Sequence, residues 1–252
     1  MMLMRTVKLT LAYDGTAYAG WQVQPARPTI QQTLEQAIAA VTGETVRVVA
    51  SGRTDAGVHA AGQVVGWRTG SSLSEATLMR AVNAHLAPDV RVIDAAPAAD
   101  DFHAIRDARS KRYRYQIQDG GVRDPLTRHY FWFFPQSLDA DAMRTAATTL
   151  LGKHDFSSFE ASGSPRNDSV RTILDIAVER PGEQPNRIAI EVEADGFLYN
   201  MVRNIVGTLV DVGRGATPAT AMRDILAACD RRQAGITAPP QGLCLVYVRY
   251  DP

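Results

Sequence analysis

The sequence of 252 residues has little of what marks several common classes of protein. Its two cysteines, Cys229 and Cys244, are too few for a disulfide framework or a zinc site, so we expect reducing surroundings and a core position for each. Arg5 and Lys8 interrupt the apolar run at the N-terminus, which argues against a signal-peptide core or a membrane span there. These absences predict a cytoplasmic protein without a membrane partner.

An excess of basic charge is also missing, because 27 lysines and arginines balance 27 aspartates and glutamates. The chain therefore lacks the global positive field that many nucleic-acid-binding proteins show. Any attraction to phosphate must come from local clusters. With 45% hydrophobic residues, the chain can bury a sizeable core, as one large domain or two small ones.

Motifs for metals and nucleotide cofactors are absent as well. The five histidines are far apart, and none has a zinc-type partner at short spacing. There is no Gly-x-Ser-x-Gly elbow, no phosphate loop with Gly-Lys-Ser/Thr and no paired-glycine dinucleotide motif. The sequence therefore predicts neither a bound metal nor a cofactor.

The first half of the chain mixes strands with two helices. Residues 6–15, TVKLTLAYDG, alternate apolar and polar side chains and end on a turn pair, which predicts a half-buried strand. Thr29 and Gln32 have the spacing of a capping box, and the helical repeat behind them ends at Gly43. A second helix is predicted over residues 75–86, with a strand after it.

A lone carboxylate stands in the segment SGRTDAGVHA, residues 51–60. The segment connects two predicted strands, ETVRVVAS and GQVVGWRT, which places Asp55 on a loop beside a sheet. Turn chemistry alone can explain an aspartate followed by a glycine. The alternative is that Asp55 is a functional group, with Arg53 and His59 nearby.

In the second half, the strand SKRYRYQI predicted over residues 110–117 has two distinct faces. Tyr113 and Tyr115 share one face, while Arg112 and Arg114 share the other. The tyrosines can be ordinary half-buried sheet aromatics or a surface for stacking bases. The basic face can be solvated or can bind phosphate.

Further helices and strands are predicted behind that strand. A helix begins at an Asp139 N-cap and stops at Gly152, and the polar segment 159–172 is expected to be a surface loop. Residues 187–195 alternate as a strand. A largely buried helix follows in FLYNMVRNIVGTLVDVG, which Arg203 interrupts either as a snorkelling residue or as a functional cation.

Six stretches of the sequence resemble the TruA family of bacterial tRNA pseudouridine synthases, and together they cover nearly the whole chain. They are AYDGTAYAGWQVQP (12–25), SGRTDAGVHAAGQV (51–64), DDFHAIRDARSKRYRY (100–115), LLGKHDFSSF (150–159), FLYNMVRNIVGTL (197–209) and GLCLVYVRY (242–250). The stretch GRTDAGVHA is highly specific, and YNMVRNIVG follows it in the order that the family shows.

The resemblance implies a role for each unusual residue. In the family the aspartate that matches Asp55 is the nucleophile, attacking the target uridine at the sugar or at the ring. The uracil then turns and its carbon-5 rejoins the sugar, so no metal or cofactor is required. The arginine that matches Arg203 keeps this aspartate ionised, because a nearby cation favours the charged form of a carboxyl group.

The resemblance also assigns substrate-binding residues. Tyr113 matches the tyrosine that stacks on the target base, Tyr115 is expected to pack, and Arg53 holds the flipped nucleotide. His59 is left as a structural or supporting residue. Basic side chains expected to bind tRNA phosphates are Arg109, Lys111, Arg112, Arg114, Arg166 and Arg171, and Arg231 and Arg232 form a further basic cluster.

At the level of the fold, the resemblance implies an α+β protein with two related ferredoxin-like halves. Their sheets are expected to form one continuous, mainly antiparallel sheet with helices on one side and a central active-site cleft. We place the halves at residues 1–105, carrying the aspartate loop, and 106–252, carrying Tyr113 and Arg203. Family members act as homodimers on uridines 38, 39 and 40 of the tRNA anticodon stem-loop.

Two other functions remain open at this stage. A non-catalytic RNA-binding module could use the basic and aromatic strand as a stacking sheet. A glycoside-cleaving enzyme would need a pair of carboxylates, and a second acid at suitable spacing from Asp55 is not evident.

Overall fold

The structure is a computed structural model that describes residues 4–161 and 168–251. The chain forms two compact units. Unit 1 comprises the residues up to Arg109 together with those from Cys244 onward, and unit 2 comprises Ser110–Leu243. Among the described residues, no helix is long and apolar enough to cross a membrane.

Unit 1 has the ferredoxin-like order of elements. These are β1 (Arg5–Tyr13), α1 (Ile30–Thr42), β2 (Val49–Ala50), β3 (His59–Thr69), α2 (Glu75–His85) and β4 (Val90–Ala98). The strands lie in the order β4-β1-β3-β2, and each neighbouring pair is antiparallel. This arrangement confirms the α+β class and the mainly antiparallel pairing.

The local signals for the first helix act as predicted. The Thr29 side chain caps α1 by accepting a hydrogen bond from the backbone N–H of Gln32 at 3.3 Å. At the other end Gly43 takes a left-handed conformation with φ of 71°, which a residue with a side chain adopts only with strain. Leu34 and Ile38 of the apolar repeat are fully buried.

Unit 2 contains strands and helices in the order β5, β6, α3, β7, β8, β9, α4 and α5. Their bounds are β5 (Ala108–Asp119), β6 (Trp132–Phe134), α3 (Ala140–Thr148), β7 (Gly152–Asp155), β8 (Val170–Glu179), β9 (Arg187–Ala194), α4 (Met201–Gly213) and α5 (Ala221–Ala227). Antiparallel pairs join β5 to β9, β9 to β8 and β8 to β7, while β6 pairs with β5 in parallel. Helix α3 contacts β8 and α4.

Several elements differ from the sequence-based expectation. The strand expected over residues 44–51 is reduced to β2, because the Val48 N–H donates to the Glu35 carboxylate at 3.1 Å instead of to a strand partner. The start of β8 lies inside the segment that we expected to be a loop, of which residues 162–167 are outside the described chain. The short strands β6 and β7 were not predicted.

The final strand, β10 (Leu243–Tyr250), also differs from the predicted division of the chain. We assigned it to the C-terminal half, but Cys244 and Leu245 pair in parallel with His59 and Ala60 of β3, and the strand belongs to unit 1. Local periodicity identifies a strand but not its partner, which here is more than 180 residues away in sequence.

The two cysteines are not the core residues that composition suggested. Cys229 is exposed and Cys244 is half-buried. Cys229 follows helix α5 with a positive φ of 48°, which places it in a turn rather than on the buried face of the helix.

A buried ion pair at the end of β5 gives a prediction about stability. The Asp119 side chain is 1% exposed and accepts two hydrogen bonds of 2.8 Å from Arg180 and one of 2.8 Å from the Leu138 N–H. Burial acts to raise the pKa of Asp119, but these donors outweigh it and hold that pKa below its usual value.

We therefore expect Asp119→Asn to lower the free energy of unfolding by about 3 kcal/mol at pH 7, because Arg180 loses its anion. A carboxyl group with a depressed pKa stabilises the fold above its unfolded pKa and stops doing so as pH falls, so the difference should shrink below about pH 4. Urea unfolding across this pH range measures it. Asp141→Asn, at an 87% exposed carboxylate, is the control and should cost under about 1 kcal/mol. Equal losses for the two variants would contradict the prediction.

Candidate active site

The loop that carries Asp55 connects β2 to β3 in unit 1. The Ser51 N–H continues the β2–β3 pairing by donating to the Val64 carbonyl at 2.8 Å. Within the loop, the Val58 N–H donates to the Asp55 carbonyl at 3.1 Å and forms a turn. Gly57 has a φ of 79°, the conformation that a glycine best supplies. Asp55 itself is half-buried.

Buried hydrogen bonds fix the backbone immediately before Asp55. The Thr54 side chain is buried and lies 2.8 Å from the Tyr13 hydroxyl, while the Thr54 carbonyl accepts from the Trp21 N–H at 2.9 Å. Gln63 on β3 is fully buried. Its side chain accepts a hydrogen bond from the Ser51 hydroxyl at 2.6 Å and donates one to the Gly52 carbonyl at 2.7 Å. Burial raises the pKa of Tyr13 to about 12, so its hydroxyl stays neutral.

Two glycines let the segment 12–25 approach this loop closely. Gly20 has a φ of 95°, and a Cβ atom there would lie 2.7 Å from the Thr54 carbonyl oxygen and 3.0 Å from the Asp55 carbonyl carbon. A Cβ atom at Gly15 would overlap the Val58 carbonyl. The glycines of the conspicuous stretch AYDGTAYAGWQ are therefore required by packing against the aspartate loop.

His59 supports the same region. Its ring is buried, and its Nδ1 accepts a hydrogen bond from the Gly15 N–H at 3.1 Å. The Asp14 carboxylate is also 3.1 Å from Nδ1, but it already accepts from the Thr16 N–H at 2.9 Å and the Thr16 hydroxyl at 2.6 Å. His59 thus joins the start of β3 to the turn at Gly15.

In unit 2, β5 places its two tyrosines on one buried face, as the alternation predicted. Tyr113 is 8% exposed, and its ring contacts Phe197 edge to face at a centroid distance of 5.1 Å. Tyr115 is fully buried and donates to the Pro239 carbonyl at 2.7 Å. Burial raises the pKa of Tyr115 above its usual value, and the charge of Arg203 offsets part of that effect.

Arg203 lies in the first turn of α4 and is half-buried. Its Nε donates to the Ala238 carbonyl at 2.7 Å, and its Nη1 donates to the Asn200 side-chain oxygen at 2.8 Å. The Ala238 N–H returns a bond of 3.1 Å to the Arg203 carbonyl. These contacts hold the guanidinium in place, which differs from a side chain that snorkels freely to solvent.

Arg231, which the sequence placed in a basic cluster, bonds to oxygens close to that arginine. Its guanidinium donates to the Asn204 side-chain oxygen at 3.0 Å, the Thr237 hydroxyl at 3.2 Å and the Gly235 carbonyl at 2.8 Å. Burial lowers the pKa of Arg231. These bonds tie residues 234–238 to α4 and so position the Ala238 carbonyl that Arg203 contacts.

The polar face of β5 carries compensated charges. Arg112 pairs with Glu191 at 2.8 Å and Glu193 at 2.9 Å, and Arg114 pairs with Glu191 at 2.6 Å. Burial tends to raise the pKa of Glu191, but the two arginines outweigh it and lower that pKa. Across the β5–β9 pair, Arg112 lies opposite Glu193 and Arg114 lies opposite Glu191, which the pattern of a single strand cannot show.

The other expected phosphate-binding residues are dispersed. Arg109 and Lys111 both lie on β5, and Arg109 forms an exposed ion pair with Asp251. Arg171 is half-buried on β8, and its guanidinium donates to the Asp168 carbonyl at 3.2 Å. Arg166 lies outside the described residues. Arg53 is exposed on the aspartate loop.

The described part of the chain contains no group of three or more His, Cys, Asp or Glu side chains that could hold a metal ion. What the structure does contain is a half-buried aspartate, Asp55, on a loop whose backbone is fixed by buried bonds. Such a group suits covalent attack on an electrophilic carbon. The fold and this loop define an α+β protein with a carboxylate side chain on a fixed loop between two strands.

Comparison with known proteins identifies the family. A family model described as tRNA pseudouridine synthase matches residues 10–105 and 146–251. The chain is 47% identical to tRNA pseudouridine synthase A of Pelobacter propionicus, over 98% of this chain and 100% of that protein. It is 46% identical to the protein of the same name from Myxococcus xanthus, over 98% of this chain and 92% of that protein.

The chain belongs to the tRNA pseudouridine synthase family. The expectations of TruA-type membership and of an isomerase acting on tRNA are thereby confirmed. A solved Cbf5-Nop10-Gar1 complex is also similar, with 12% identity and a TM-score of 0.36 over 94% of this chain and 57% of the solved chain. That score is too low to indicate a shared fold.

Proposed function

We propose that this protein converts uridines 38, 39 and 40 of the tRNA anticodon stem-loop to pseudouridine, with Asp55 as the nucleophile. The observation that carries the proposal is the fixed loop: Thr54 is buried and bonded through both its side chain and its carbonyl, while the next residue, Asp55, is only half-buried. A fixed backbone holds the attacking group in a reactive geometry and so lowers the entropic cost of attack.

The reaction conserves every atom of the substrate. The Asp55 carboxylate bonds to the sugar or to the ring, the bond between N1 and C1′ breaks, and the uracil turns. Carbon-5 then bonds to C1′ and loses its proton, N1 gains one, and the bond to Asp55 breaks. These bond changes require no oxidant, reductant or metal.

Arg203 is proposed to keep Asp55 ionised, and Tyr113 to contact the target base. The fixed position of the Arg203 guanidinium supports the first role, since an oriented cation stabilises an anion without further reorganisation. The low exposure of Tyr113 bears on the second, because only 8% of the residue is accessible and its ring packs edge to face with Phe197. A base can stack on Tyr113 only if Phe197 or a neighbouring segment shifts.

We also propose, from the resemblance to the family, that the enzyme is a cytoplasmic homodimer. Light scattering on the purified protein tests the dimer. The alternative of a non-catalytic RNA-binding module has less support, because Tyr113 and Tyr115 are buried and so do not form an open stacking sheet.

Incubation of the purified protein with an unmodified tRNA transcript, in buffer without cofactors, tests the proposed reaction. Pseudouridine should form at positions 38, 39 and 40 and nowhere else in the anticodon arm. Pseudouridine at other positions would contradict the proposed site while leaving the reaction standing. A bound but unchanged transcript would contradict the reaction itself.

The ion pairs on β5 give a prediction about phosphate binding. Each phosphate contact contributes about 0.9 to the slope of log affinity against log salt concentration for a duplex. We expect Arg53→Gln to reduce this slope by about 0.7 to 0.9, because Arg53 is exposed. Arg114→Gln should change it little, because Arg114 already pairs with Glu191. Binding titrations at several salt concentrations measure both, and a larger change for Arg114→Gln would show that the β5 arginines do contact tRNA.

A further inference from the structure

A cavity of about 340 Å³ opens in unit 1 beside the aspartate loop. We call it the loop pocket and define it by six of its lining residues, which are Trp21, Gln31, Arg47, Val49, Arg53 and Ile105. Arg53 is two residues before Asp55, so the pocket lies next to the proposed nucleophile along the chain. Of the six residues, only Arg53 has been given a role above, and the cavity itself has been given none.

The walls of the loop pocket are held by buried polar bonds. The Gln31 side chain is 6% exposed; it accepts from the Val23 N–H at 3.2 Å and donates to Glu35 at 2.9 Å. Glu35 in turn accepts from the Val48 N–H at 3.1 Å. Helix α1 is thereby joined to the segments on both sides of the pocket. The cavity is a fixed feature of the fold, which lowers the cost of ordering it around a ligand.

The pocket combines exposed apolar surface with positive charge. Ile105 is 55% exposed and Val49 is 37% exposed, which is high for large aliphatic side chains. Arg53 is exposed, and the Arg47 side chain is 67% exposed although it contacts Glu35 at 3.3 Å. No acidic residue is among the described residues that line the cavity. Such a surface complements a ligand with a flat apolar part and an anionic part.

An unpaired nucleotide combines a flat apolar part, its base, with an anionic part, its phosphate. Its base can lie on apolar side chains, and its phosphate can pair with a guanidinium. A volume of 340 Å³ is near the lower end of about 300 to 1,000 Å³ that is typical of ligand pockets, which suits one nucleotide. The position beside the aspartate loop makes a neighbour of the target uridine the natural occupant.

We propose that the loop pocket binds one unstacked nucleotide of the tRNA adjacent to the target uridine. The base lies on Val49 and Ile105, and Arg47 and Arg53 bind its phosphates. This assignment depends on the proposed function for the identity of the RNA. Because the contacts are to the aliphatic surface and the phosphate, the subsite accepts all four bases with little discrimination.

Replacement of Ile105 by Asp tests the proposal, because it puts a carboxylate where the base and its phosphate are expected. Ile93→Asp is the matched control, since Ile93 is a 52% exposed isoleucine of unit 1 that does not line the pocket. We expect Ile105→Asp to raise the Kd for an anticodon stem-loop RNA and the KM about tenfold while kcat changes less than about twofold. Ile93→Asp should change neither constant by more than about twofold.

Ile105→Ser is a second variant that removes the apolar surface without adding charge, and we expect it to raise KM about fivefold. Thermal unfolding of all three variants checks that each is folded. Equal Kd values for Ile105→Asp and Ile93→Asp would overturn the subsite while leaving pseudouridine formation intact. If the wild-type protein forms no pseudouridine yet Ile105→Asp still weakens RNA binding, the proposed function fails and the subsite stands.

Discussion

Replacement of Asp55 by asparagine is expected to lower the rate of pseudouridine formation by about 10⁴-fold or more while tRNA binding remains within about twofold. The substitution keeps the shape of the side chain and removes its ability to attack carbon. Because Asp55 is half-buried and the loop is fixed by Thr54 and Gln63, the fold should not change. Single-turnover rates and a binding titration measure the two quantities.

Asp94→Asn is the control for this experiment, because Asp94 is an exposed aspartate of β4 in the same unit. It should leave both rate and binding unchanged. If Asp55→Asn isomerises uridine at a rate near that of the wild type, Asp55 is not the nucleophile. If the wild-type protein instead releases free uracil from tRNA, it is a glycoside-cleaving enzyme.

Replacement of Arg203 is expected to have the second largest effect. Arg203→Gln should lower kcat by about 10² to 10³-fold with little change in KM, since it removes an oriented cation that acts on the nucleophile and not on the bulk of the tRNA. Arg203→Lys keeps the charge but lacks the planar fork that donates to both Ala238 and Asn200, so we expect only partial activity.

A readout of stability separates this role from a structural one. If Arg203 stabilises the charge of Asp55, the double variant Asp55→Asn/Arg203→Gln should lose less free energy of unfolding than the two single variants lose in sum. The expected coupling free energy is about 0.5 to 3 kcal/mol from urea unfolding. Strict additivity of the two substitutions would show that Arg203 acts without Asp55.

Much of the fold follows from local sequence. Helix α1 begins at Thr29 and ends at Gly43 because a hydroxyl satisfies a free N–H and a glycine supplies a positive φ, and both signals are visible in the sequence. The strands β1, β5 and β9 are recognisable because one face of each is buried. By contrast, Val48 loses its strand pairing to a side chain of α1, a contact that no local pattern encodes.

The site was predicted less completely than the fold. The family resemblance marked Asp55 and Arg203, but the side chains that fix their surroundings were not singled out, because Thr54 bonds to Tyr13 across 41 positions and Arg203 bonds to Ala238 across 35. Charge patterns located basic residues but not the partners of those residues. Arg231 was expected on a phosphate-binding surface, whereas it bonds to Asn204 and Thr237 inside unit 2.

The most direct test of the account follows the hydrogen on carbon-5 of uridine. Isomerisation replaces the C5–H bond with a C5–C1′ bond, so each pseudouridine formed releases one hydrogen to water. With a tRNA transcript tritiated at C5 of its uridines, the wild-type protein should release tritium without added cofactor, and Asp55→Asn should release none at equal occupancy of tRNA. Release by both proteins at similar rates would contradict the role of Asp55, and release by neither would contradict the function.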